Sequence, residues 1–103
     1  MNPLFQLSTR SYDKEITIVK NALQELENEC NVKNGYTIEE PFQKFGWTFF
    51  NIQISEEMSN KIEKSGMMEG ALGYKIGEQM TNFIGHYLET KGSSVRIKKI
   101  DYG

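Results

Sequence analysis

Few side chains in this sequence are spaced to do covalent or acid–base chemistry. His86 is the single histidine and Cys30 the single cysteine. On a helix, a metal-binding partner for His86 would stand three or four residues away, where Glu89 and Asn82 do not make a ligand set. A lone thiol forms neither an intrachain disulfide nor a cysteine-rich zinc site, and no local pattern supplies the neighbour that would activate it. Cys30 instead extends an apolar helical stripe, the place of a small buried hydrophobe. The acidic pairs Glu39–Glu40 and Glu56–Glu57 fall at a turn and a helix start, where acids have local reasons to be. No nucleophile–base–acid ordering and no paired-acid site can be built. The expectation is a non-enzymatic protein with no metal and no cofactor.

A second pattern is the glycine spacing. Gly66, Gly70, Gly73 and Gly77 follow at intervals of four, three and four residues. On one continuous helix they would share a stripe. Each glycine costs about 1 kcal/mol against alanine in a helix interior, so a stripe makes sense where another backbone must approach closely. Gly70, Gly73 and Gly77 are the candidate close-packing positions. The alternative is a loop over residues 65–73 in which the glycines hold turn positions. They do not make a phosphate loop, which needs Gly-Lys-Ser/Thr, nor a dinucleotide loop, which follows a strand directly. Gly73-Tyr74-Lys75-Ile76-Gly77 is similar, over those five residues only, to a helical segment in small subunits of the TRAPP vesicle-tethering complex.

The third pattern is aromatic. Phe42, Phe45, Trp47, Phe49 and Phe50 fall within nine residues. Strand alternation from Trp47 to Ile54 puts Thr48, Phe50, Ile52 and Ile54 on a core face, with Trp47, Phe49, Asn51 and Gln53 on the other. Phe45, Trp47 and Phe49 are therefore the candidate partner-binding residues. Gly46-Trp47-Thr48-Phe49-Phe50-Asn51-Ile52 resembles the third-strand signature of RNA-recognition motifs. That resemblance implies Trp47 and Phe49 as stacking platforms on an open sheet face, joined by Phe5 from the first strand. The sequence departs from the signature at its basic leading position (Phe45), its small position (Thr48) and its last aromatic (Ile52).

The elements that would position these residues follow from periodicity. Residues 4–8 read as a short strand. Ser11 or Asp13 can cap a helix carrying Ile16, Val19, Ala22, Leu23, Leu26 and Cys30 at helical spacing, ended by Asn34-Gly35. Residues 36–39 read as a second strand that Pro41 ends or confines to an edge, with a helical turn at 38–44 as competitor. After the 47–54 strand, Ser55-Glu56-Glu57 starts a helix that Ser65-Gly66 can interrupt. A further helical stretch carries Leu72, Ile76, Met80, Phe83, Ile84, Tyr87 and Leu88 to Thr90, and Gly92 closes it. A last strand over 95–102 changes parity in a way that predicts a bulge near Lys98-Lys99. The fold class is α+β, a single domain over residues 1–103. The order β-α-β-β-α-β is the ferredoxin-like arrangement, two long helices on one face of an antiparallel sheet. Without the first strand, an α-β-β-α-β sandwich remains.

Composition bounds the function. The chain has 103 residues, with 12 Lys+Arg against 14 Asp+Glu, a net charge of −2. That balance argues against a generic nucleic-acid binder. No apolar run reaches the roughly 18 residues of a membrane span, and the start has no signal-peptide pattern, so a cytoplasmic location is expected. The leading expectation is stoichiometric binding to another protein or to a second copy in a homodimer. Regulators, inhibitors and immunity-type proteins of phages and mobile elements share this profile. The alternatives are single-stranded nucleic-acid binding on the open sheet face, and small-ligand binding against the glycines.

Overall fold

The computed structural model describes residues 2–101. The fold is α+β, with five antiparallel strands and three helices. Their order is β1 (Leu4–Thr9), α1 (Tyr12–Cys30), β2 (Tyr36–Ile38), β3 (Phe42–Lys44), β4 (Trp47–Ile54), α2 (Glu56–Ser65), α3 (Ile76–Thr90) and β5 (Arg96–Asp101). The sheet runs β2-β4-β1-β5, and β3 also pairs with β4. Compared with the expected order, the structure adds one short strand and divides the second helical stretch in two.

Alternation along β1 and β4 decides where the core lies. Phe5 and Leu7 on β1, and Phe50, Ile52 and Ile54 on β4, are fully buried. They join Val19, Leu23 and Leu26 of α1, Met58 and Ile62 of α2, and Met80, Ile84 and Leu88 of α3 in one cluster. All three helices therefore lie on the same side of the sheet. Each such side chain withdrawn from water contributes about 1.5–3 kcal/mol. Tyr12 adds an edge-on ring contact to Phe50, 5.3 Å between centroids.

Helix ends explain two departures from expectation. α1 stops at Cys30, not at Asn34-Gly35, because Asn31 takes a left-handed conformation (φ 56°). Asn31 N–H then donates to Asn28 O and Val32 N–H to Glu27 O, satisfying the last carbonyls in a Schellman arrangement. The helical stretch from Ser55 to Thr90, which Ser65-Gly66 could interrupt, is broken there by residues 66–75. Ser55 Oγ caps α2 by accepting from Met58 N–H, and Gly66 (φ 84°) ends it. Gly66, Gly70 and Gly73 all have positive φ in the connection, as turn positions rather than a helical stripe. Leu72, expected on the buried helical face, is exposed in that connection. The Gly73–Gly77 segment is likewise helical only from Ile76 onward.

Two register shifts re-aim the sheet. Ile38 pairs with Ile52, yet Phe42 pairs with Phe49, so one extra residue is accommodated between Glu39 and Phe42. Pro41, which has no N–H to donate, lies in that bulge. Residues 38–44 thus form two short strand segments and not a helical turn. On β5, Lys99 pairs with Phe5 and Asp101 with Leu4, which places the irregularity at Ile100, just past the expected Lys98-Lys99. Tyr102, expected in this strand, lies outside the described residues.

A buried carboxylate ties the two halves of the fold together. Glu15 in the first turn of α1 is 1% exposed. Its Oε1 accepts from Ser93 Oγ (2.7 Å) and Ser94 N–H (3.0 Å), and its Oε2 accepts from Ser94 Oγ (3.0 Å). Burial pushes the Glu15 carboxyl up, but these three donors and nearby Lys14 together outweigh it, so it sits below the ordinary carboxylate range. Its folded-state value being depressed, the clasp stabilises fully above the unfolded glutamate range and is lost as pH falls through the folded value. Glu15→Gln is therefore expected to lower stability at pH 7 by about 1–3 kcal/mol. Denaturant melts from pH 7 to pH 3 should show a shallower acid limb in the variant than in the wild type.

Candidate binding face

The sheet face turned away from the helices carries Leu4, Gln6 and Ser8 from β1, and Trp47, Phe49, Asn51 and Gln53 from β4. All seven are half-buried. No described element lies over them. Cross-strand register then assembles one row from Arg96, Ser8, Phe49 and Phe42, and places Lys44 opposite Trp47 and Lys98 opposite Gln6. Phe42 and Phe49 stack, 5.3 Å apart and 19° between planes. By the parity of β2, Phe42 would face the core. The bulge at Pro41 is what turns it to this side.

Trp47 is the meeting point of two cations. The guanidinium carbons of Arg10 and Arg96 each lie 4.9 Å from its ring centroid. Such contacts contribute about 0.5–1 kcal/mol at exposed sites. Neither guanidinium has a carboxylate within ion-pair reach among the described residues. The acids of this face, Glu39 and Asp101, belong to rows further from Trp47. Asn51 Nδ2 donates to Glu39 Oε1 (3.0 Å), while Asn51 Oδ1 is buried without a hydrogen-bond partner among the described residues.

Phe45 stands at the tip of the β3–β4 hairpin. It is 90% exposed. Phe45 (φ 53°) and Gly46 (φ 80°) both occupy the left-handed region, as a two-residue hairpin of the type I′ kind requires. Asn, Asp or Gly normally fills the first of these positions, and a bulky aromatic there costs about 1–3 kcal/mol. Its one ring contact is with Lys44 Nζ, 5.6 Å from the centroid. Nothing in the packing explains an aromatic at this position.

The other candidates lie elsewhere. Phe5, expected to join Trp47 and Phe49 as a platform, faces the core opposite Ile52. Cys30 is a buried free thiol that burial pushes up, with Glu29 adding to the shift, which keeps it protonated. Gly70 lines a cavity of about 520 Å³ between the α2–α3 connection and α3, together with Met67, Leu72, Asn82, Phe83 and His86. Asn82 Nδ2 donates across its rim to Leu72 O (2.7 Å). Gly77 is buried in the first turn of α3. Gly73 packs against that same turn, where an added Cβ would meet Glu78 Cβ at 2.7 Å and Gln79 N at 3.0 Å. Among the described residues no three His, Cys, Asp or Glu side chains come together to hold a metal, and no helix is long and apolar enough to cross a membrane.

Sequence reasoning reached Phe45, Trp47 and Phe49 but not Arg10, Arg96 or Phe42. Arg10 continues the outward parity of Leu4, Gln6 and Ser8, a usable signal. Arg96 depends on the β1–β5 pairing and Phe42 on the bulge. No protein-family model, curated protein or solved structure matches the chain.

Two outcomes are expected from these geometries. Phe45→Asn relieves the hairpin and should raise stability by about 1 kcal/mol in a denaturant melt. Gly73→Ala forces a Cβ against helix backbone at φ 134° and should lower it by about 1–3 kcal/mol.

Proposed function

We propose that this chain is a non-catalytic module that binds another protein stoichiometrically, through the uncovered sheet face centred on Trp47 and Phe49 and extended by Phe45. The observation that carries this reading is Phe45: a large aromatic held almost wholly in solvent, in a backbone conformation that weakens the fold. Residues that reduce stability without a packing role mark functional surfaces. Trp47, Phe49 and Phe42 continue the apolar patch, and aromatic residues are frequent interface anchors. A cytoplasmic regulator or inhibitor, of the kind that phages and mobile elements carry, fits a small single domain with such a face.

The decisive comparison is between folding and binding in the same variants. Phe45→Asn should melt no earlier than wild type yet lose at least about thirtyfold in partner affinity, the effect of removing an interface anchor. Trp47→Ala and Phe49→Ala should weaken binding further while also lowering stability modestly, since both rings are half-buried. Partner capture from the native host, followed by titration of the identified protein, supplies the affinities. Sedimentation of the chain alone tests whether the partner is a second copy. Equal binding by wild type and Phe45→Asn would end the proposal.

A second reading, single-stranded nucleic-acid binding, draws support from the cations Arg10, Lys44, Arg96 and Lys98 around the same aromatics. Salt-sensitive retention of a labelled oligothymidylate by wild type, lost in Trp47→Ala, would favour it.

A further inference from the structure

The charges of this face are unevenly placed, and that unevenness narrows the partner. The chain as a whole is acidic, with a net charge of −2. Around Trp47, however, stand Arg10, Arg96 and Lys44, with Lys98 on the next outward position of β5. Two guanidiniums converge on one ring, so their centres are held within two cation–ring distances of each other. Both charges lie against this ring, and neither guanidinium has an ion-pair partner among the described residues. A carboxylate meeting either guanidinium would accept paired hydrogen bonds from a planar donor suited to it. Phe42, Phe49 and Phe45 flank the spot with apolar surface.

A polyphosphate strand fits this arrangement less well. Phosphates repeat evenly and call for a track of cations along the groove. Here Arg10, Lys44 and Arg96 gather at one end of the face, Lys98 shares the next outward row with Glu39, and Asp101 stands beyond.

We infer that the uncovered face takes an extended acidic segment of the partner protein. Its carboxylates sit on Arg10 and Arg96 beside Trp47, and its apolar side chains cover Phe42, Phe45 and Phe49. This rests on the protein-binding reading and specifies the chemistry of the partner.

Trp47 is the chain's single tryptophan, so its fluorescence reports from the proposed site itself. The probes are a blocked peptide alternating glutamate and leucine, a lysine–leucine peptide of the same length, and oligothymidylate. The acidic peptide should change Trp47 emission saturably, with affinity falling at least about tenfold in high salt. The same loss is expected in the double variant Arg10→Gln, Arg96→Gln, whose melt checks that it folds. The lysine–leucine peptide should give no response.

Equal responses to both peptides, or an unchanged affinity in the double variant, would overturn the inference. Tighter binding of oligothymidylate than of the acidic peptide would overturn it in favour of nucleic acid. The captured partner separates this failure from failure of the underlying reading. A partner lost by Phe45→Asn but kept by the double arginine variant leaves the face in place and removes the acidic segment. A partner kept by both removes the face as well.

Discussion

The strict alternation of β4 is the constraint on which the rest of this molecule depends. β4 pairs with β1 on one side and with β2 and β3 on the other, so its eight residues set the register of most of the sheet. Its even-numbered side chains fill the core and its odd-numbered ones form the uncovered face. A slip of one residue would exchange Phe50, Ile52 and Ile54 for Trp47, Asn51 and Gln53, burying polar amides and exposing the core. The hydrophobic core thus holds the aromatic face in position, although the two share no side chain.

Much of this was legible in the residue pattern, and the parts that were not share a physical reason. The period-two run from Trp47 to Ile54, the apolar stripe from Ile16 to Cys30, the Ser55 cap and the Gly92 stop are local signals, and each element formed where its signal lay. The misplaced features depend on single-residue backbone choices or on distant partners. Asn31 could enter the left-handed region as readily as the Asn34-Gly35 pair, and only the folded geometry selects it. The bulge at Pro41 inverts the parity of Phe42, which a simple alternation count cannot see. Phe5 on the open face was implied only by the resemblance to RNA-recognition motifs, and the pairing of Phe5 with Ile52 turns it to the core instead. Glu15 carried no signal at all, since its donors lie 78 and 79 positions away.

Net charge proved a poor guide to local charge. An excess of two acids says nothing about where the cations stand, and the sheet collects four of them on one face through cross-strand pairing of residues far apart in sequence. Such a field acts within about a Debye length, roughly 8–10 Å at physiological salt, so a partner touching this face meets a basic surface whatever the total. The glycine-rich connection after α2 shows the same gap between pattern and place. Its intervals imitate a helical stripe, yet its positive φ angles make it a loop folded against the start of α3.

The pairing of β1 with β5, and the clasp of Glu15 on Ser93 and Ser94, bear on how the protein is made. β1 is among the first parts of this sequence to leave a ribosome, and β5 follows only after all three helices. Through that interval β1 has one edge without its strand neighbour, and Glu15 is a charged side chain without its donors. Contacts of such wide sequence separation form late and slowly. Until β5 has been added, the nascent chain therefore carries a central strand edge that is open to pairing with other chains.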